Sequence, residues 1–93
     1  MARQGAGYLG SNKIEVSTSL QEIIPNAPEK WTIPYTMYKL SFRNYDPCTV
    51  VLNHKTELFL DAGDGFEMDD RDNPITSFVI KESGIRFNWR GGY

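Results

Sequence analysis

Apolar and polar side chains alternate one for one along several short runs of this chain, and turn-forming residues separate the runs. Tyr38, Leu40 and Phe42 alternate with Lys39, Ser41 and Arg43, and Ile85, Phe87 and Trp89 alternate with Arg86, Asn88 and Arg90. Successive side chains of a strand point to opposite faces, so this period puts one face in a core and the other in solvent. Helical spacing is nowhere sustained long enough for a long amphipathic helix.

The remaining runs read in the same way. Cys48 to Asn53 is β-branched and apolar, as in a strand buried on both faces or nearly so. Leu58 and Leu60 share a face, Phe66 and Met68 sit one apart, and Ile75 to Ile80 forms another strand. Asn44-Tyr45-Asp46-Pro47, His54-Lys55, Ala62-Gly63-Asp64-Gly65 and Ser83-Gly84 supply the turns. Upstream, Lys13 to Thr18 predicts a half-buried strand with Ile14 and Val16 inward. Ser19 to Ile24 predicts a short helical turn, with Ser19 as its cap and Glu22 following at the capping-box spacing. Trp31, Ile33 and Tyr35 alternate around Pro34, which removes a ladder donor and limits that segment to a sheet edge.

Six to eight short strands at close spacing predict an all-β fold, a small antiparallel β-sandwich or barrel. Its core is expected to contain Leu40, Phe42, Val50, Leu52, Leu58, Leu60, Phe78, Ile80, Ile85 and Phe87. A length of 93 residues is one domain with a thin core, and the 13% aromatic content adds buried area to it. Residues 13–93 form that domain. Residues 1–12 contain Gly5, Gly7 and Gly10, follow no period, and are read as an extended N-terminal arm. Tyr8 and Leu9 are expected to anchor the arm on a neighbouring subunit. Trp31, after a proline-rich bend, and Tyr93, after Arg90-Gly91-Gly92, complete the expected interaction residues.

The net charge of −2 offers no basic field for phosphate, so no nucleic acid partner is expected. No segment approaches the length of a membrane helix, no apolar leader is visible, and no membrane partner is expected. The single cysteine, Cys48, forms no internal disulfide and favours assembly in a reducing cytoplasm. Cys48 and His54 are the only thiol and imidazole, and nothing in the sequence activates either as a nucleophile pair. No catalytic residues, cofactor or metal are therefore expected. The acidity concentrates at Asp61, Asp64, Glu67, Asp69, Asp70 and Asp72, but their spacing does not match a calcium loop, and a solvated loop is the reading.

Beyond composition, four stretches carry a resemblance. Leu40-Ser41-Phe42-Arg43-Asn44 and Cys48 to Asn53 lead into Leu58-Phe59-Leu60-Asp61-Ala62-Gly63-Asp64-Gly65-Phe66-Glu67, and Pro74-Ile75-Thr76-Ser77-Phe78-Val79-Ile80 follows, running through Lys81-Glu82 to a turn at Ser83-Gly84. This resembles a pattern in small structural proteins of tailed bacteriophages, over about residues 38–93. The resemblance implies a non-enzymatic virion component, such as a capsid decoration, head-fibre, neck or tail part. It implies a homo-oligomer within a larger virion, assembled in the host cytoplasm, and it brings no catalytic residues. The alternative is a small carbohydrate-binding β-sandwich using Trp31, Trp89, Tyr45 or Tyr93 as sugar platforms, although the alternation of Trp89 with Ile85 and Phe87 favours a core position for it.

Overall fold

The strongest alternating runs form the longest strands and pair with each other. In a computed structural model, which describes residues 7–27, 35–69 and 71–93, Lys39–Asn44 pairs antiparallel with Arg86–Gly92 over the full length of the former. In chain order the strands are β1 (Tyr8–Gly10), β2 (Glu15–Val16), β3 (Gln21–Glu22), β4 (Lys39–Asn44), β5 (Cys48–Leu52), β6 (Thr56–Leu60), β7 (Phe66–Met68), β8 (Phe78–Ile80) and β9 (Arg86–Gly92). One sheet runs β1-β9-β4-β7, with β2 also on β9, and the second runs β3-β8-β5-β6. Every pairing is antiparallel, and the two sheets face each other as a β-sandwich.

The inward side chains meet as the alternation requires. Leu40, Phe42, Val50, Leu60, Phe78, Ile80, Ile85 and Phe87 are buried, and Leu52 and Leu58 pack half-buried against them. The Phe42 ring stands 4.7 Å from Phe78 and 5.8 Å from Phe87, and Phe66 lies 5.9 Å from Phe78. These offset and tilted contacts suit the ring quadrupoles, and the two to Phe78 tie the facing sheets at their centre. Met37, Cys48, Met68, Ile75 and Trp89 complete the core with Ile23 and Ile24.

Two local expectations fail. Ile14 and Val16 do not point inward: they are 52% and 61% exposed. β2 adds to β9 with Val16 opposite Arg86, and a shift of one residue exchanges the two faces of a strand. Ser17 decides the register. It is buried, donates its hydroxyl to Glu82 O at 2.7 Å and accepts from Ile85 N at 3.0 Å, so the polar side chain takes the inner side. Residues 19–24 also form no helical turn. Leu20 adopts a positive φ of 54°, and β3 follows it. Glu22 does not reach back to cap Ser19; its carboxylate accepts from Phe78 N at 2.7 Å and from the Ser77 hydroxyl. Those donors lie far along the chain, beyond the reach of any local capping rule. The edge strand expected around Trp31 and Ile33 lies outside the described residues.

Candidate functional site

The expected interaction residues fall in three situations. Tyr8 is 88% exposed on the outer face of β1, while its neighbour Leu9 packs half-buried on the core. Tyr93 is also half-buried, with its ring 4.6 Å from that of Tyr35. Trp31 lies outside the described residues. The segment carrying Tyr8 and Leu9 is extended, as expected, but residues 7–11 do not leave the domain. Tyr8, Leu9 and Gly10 pair with Gly92, Gly91 and Arg90, and Gly7 and Tyr93 exchange backbone hydrogen bonds of 3.2 and 3.0 Å. Ser11 continues the attachment by accepting from Trp89 N at 3.0 Å. The glycines serve close approach here: a Cβ on Gly10 would stand 2.6 Å from Trp89 O.

The most exposed large apolar side chains distribute over both outer faces. Tyr8 and Val16 stand in line with Gly92 and Arg86 on the solvent side of the first sheet, and Ile14 is exposed just before β2. Leu20, in the turn just before β3, and Phe59 on β6 are 65% and 67% exposed and lie at the two edges of the second sheet. Between those edges the outer face of β5 and β8 presents half-buried Val51 opposite Val79. An ion pair of 3.2 Å between Lys81 and Glu57 crosses this face.

A polar hollow of about 580 Å³ occupies the outer face of the first sheet, floored by Ser41, Arg43, Asn88 and Arg90 and bordered by Asp64 and Glu67. It follows from register: Ser41 stands opposite both Glu67 and Arg90, and Arg43 opposite Asn88. Sequence alternation marks these residues as outward but does not bring them side by side. Trp89 is 7% exposed and faces the core, so it provides no platform for a sugar in this hollow. At the end of the same face Arg86 grips Asp46 through Nε at 3.0 Å and a terminal nitrogen at 2.9 Å, and Arg86 N adds a third bond of 3.0 Å. The guanidinium and this backbone donor hold the Asp46 carboxyl at about 2, below the usual 3.8.

Cys48 and His54 do not meet. Cys48 opens β5 facing the core, whereas His54 is exposed beyond the far end of β5, roughly 20 Å along an extended strand. Burial, followed by the charges of Glu82 and Asp46, pushes the Cys48 thiol up to about 11, which keeps it protonated and unreactive at neutral pH. His54 and Asn53 have φ values of 58° and 53°, as the middle pair of a tight hairpin turn requires. Asp70 lies outside the described residues, and four other carboxylates of the acidic segment, those of Asp61, Asp64, Asp69 and Asp72, accept from backbone N–H groups of its own turns. Asp64 accepts from Asp61 N at 3.0 Å, Asp72 from Asp69 N at 3.1 Å and Asp69 from Arg71 N at 3.0 Å. Among the described residues no three of the histidine, cysteine and carboxylate side chains converge as a metal site.

The geometry defines a small two-sheet antiparallel β-sandwich with apolar side chains on its outer faces and no convergent catalytic constellation among the described residues. No protein-family model, curated protein or solved structure matches the chain.

Proposed function

We propose that this chain is a non-enzymatic structural subunit that works through contacts with other copies of itself, as a component of a phage virion. The observation that carries the reading is the outward display of Tyr8, Ile14, Val16, Leu20 and Phe59, each more than half exposed, on a domain with a thin core. Single exposed apolar side chains are ordinary, but a set spread over both outer faces of so small a domain fits surfaces that neighbours cover. The resemblance of residues 38–93 to tailed-phage structural modules supplies the virion setting. Small domains also gain stability from oligomerisation, because the neighbour buries surface that the thin core leaves exposed.

The test is mass in solution. Sedimentation velocity of the full chain at increasing concentration is expected to show a discrete oligomer, and a monomer throughout overturns the reading. The carbohydrate alternative would require binding in the polar hollow beside Tyr45, and a change in intrinsic fluorescence on adding oligosaccharide to such a monomer would favour it.

A further inference from the structure

Among the described residues β6 is an outer strand of the second sheet, paired only with β5, and the edge it leaves free there has a definable hydrogen-bonding pattern. Thr49 O accepts from Lys81 N, Thr49 N donates to Glu82, and Asn53 N donates to Ser77 O, so the backbone groups of Thr49, Val51 and Asn53 point toward β8. By alternation, Cys48, Val50 and Leu52 bond to Leu60, Leu58 and Thr56 of β6. The N–H and C=O groups of Glu57 and Phe59 therefore point away from the sheet. At the flanks Lys55 N is already held by Leu52 O at 3.0 Å and Asp61 N by Asp64 Oδ2 at 3.0 Å. The free edge thus consists of the backbone groups of Glu57 and Phe59, on a strand with no proline and an exposed aromatic, the features that leave an edge open to strand addition.

We propose that two copies of this chain pair antiparallel through β6 about a two-fold axis at Leu58. Glu57 of each copy then stands opposite Phe59 of the other, and Lys55 opposite Asp61. This proposal rests on the reading of the chain as a self-assembling subunit and names the surface and its register.

Charge selects that register. Hydrogen-bonding parity allows pairings that differ by steps of two residues. A step in one direction sets Glu57 against Glu57 of the second copy, and a step in the other sets Glu57 against Asp61. Like charges directly opposite one another destabilise a ladder. The register centred on Leu58 avoids both clashes and gains two opposite-charge pairs of Lys55 with Asp61 by symmetry. It also uses every free group, because Glu57 and Phe59 of each copy exchange N–H and C=O bonds with their opposites. Phe59, 67% exposed in the single chain, comes within diagonal reach of Phe59 of the second copy. Lys81 draws the Glu57 carboxylate across β5, away from the edge, which leaves the Glu57 methylenes to face the ring. The product is one continuous antiparallel sheet through both copies, and the two sandwiches extend to either side of it.

A five-residue edge makes a small contact, below the roughly 1,200 Å² of stable complexes, so a dissociation constant on the order of 10–100 µM is expected. Weak pairwise contacts of this kind add up when many copies are held together. The experiment is sedimentation velocity on the full chain, wild type and variants, over a concentration series spanning that range. Phe59→Pro removes an N–H that points outward and costs the chain no ladder bond of its own. It is expected to be monomeric with an unchanged β-sheet circular dichroism spectrum. Lys55→Glu, at an exposed turn position, sets two like-charge pairs across the axis and is expected to weaken pairing about tenfold. Lys55→Glu combined with Asp61→Lys reverses both partners and is expected to restore the affinity. If Phe59→Pro fails to fold, the charge-reversal pair decides alone. An oligomer indifferent to Lys55→Glu overturns the β6 pairing and leaves the self-assembly reading standing, whereas a wild-type monomer overturns both.

Discussion

The Asn44 side chain accepts a hydrogen bond of 2.9 Å from Gly65 N and thereby joins the end of β4 to the turn before β7. Asn44 is fully buried, and its amide nitrogen donates to Asp61 O at 2.8 Å, Asp46 O at 3.0 Å and Leu60 O at 3.3 Å. One side chain thus holds the turn that leads from β4 to β5 and the turn that leads from β6 to β7, where the chain passes between the two sheets. Gly65 fits that place because its φ is +69° and a Cβ there would stand 2.8 Å from Phe42 O.

Asn44→Ala is expected to lower unfolding stability by about 2–4 kcal/mol, because it takes from the Gly65 N–H and the Asp46 carbonyl their partner and withdraws a second donor from Asp61 O and Leu60 O. Asn44→Asp keeps the acceptor for Gly65 N but turns a carboxylate oxygen toward three carbonyls, and it is expected to be no less damaging at neutral pH. Urea denaturation of both variants is the measurement. A loss below about 0.5 kcal/mol for Asn44→Ala, the size of an ordinary surface substitution, would show that the turns hold without it.

The Asp46–Arg86 pair gives a pH dependence of defined sign. The folded-state pKa of Asp46 is lowered to about 2 from 3.8, so the stability it contributes is present above 3.8 and is lost as pH falls toward 2. The wild-type melting temperature is expected to exceed that of Asp46→Asn at pH 6, with the gap closing between those two values. A gap that persists unchanged at pH 2 would contradict the ion pair. The pair is solvent-exposed, so added salt is expected to narrow the gap as well.

Cys48 is expected to resist thiol reagents in the native protein at pH 8 and to react only as the chain unfolds. Its burial and a thiol pKa near 11 both suppress attack. Labelling at the rate of a free cysteine peptide, in the absence of denaturant, would place the thiol in solvent.

The N-terminal strand belongs to its own sheet, so removing residues 1–11 is expected to lower the melting temperature by several degrees. The truncation exposes the β9 edge and withdraws both Leu9 and the Ser11 hydroxyl that bonds Trp89 N. Gly10→Ala forces a Cβ against Trp89 O and is expected to cost about 1–3 kcal/mol, read as faster amide exchange at residues 8–11. Unchanged melting on truncation would mean that β1 contributes nothing in the single chain.

The alternating runs in β4, β5, β6, β8 and β9 were legible because the pleat is local: whichever strands become neighbours, Leu40 and Phe42 must share a face. Trp89 was legible as core for the same reason. Ile14 and Val16 were misread because a two-residue strand at a sheet edge has no inward face until its partner sets the register. The polar hollow was half legible. Alternation marks Ser41, Arg43, Asn88 and Arg90 as outward, but the side-by-side placement comes from pairing β4 with β9.

By itself, the sequence determined the all-β class, the turns and most of the core, since φ/ψ preference and a period of two act within a few residues. Tertiary structure alone decided that Tyr8 lies beside Gly92, that Ser17 is buried against Ile85, and that the Glu22 carboxylate binds Phe78 N. In each case the partner is more than fifty residues away, and no local pattern encodes which distant donor a hydroxyl, a carboxylate or an edge strand will meet. The same holds for the free edge of β6. Its side chains are written in the sequence, but which backbone groups remain unpaired depends on β8 lying on the other side of β5.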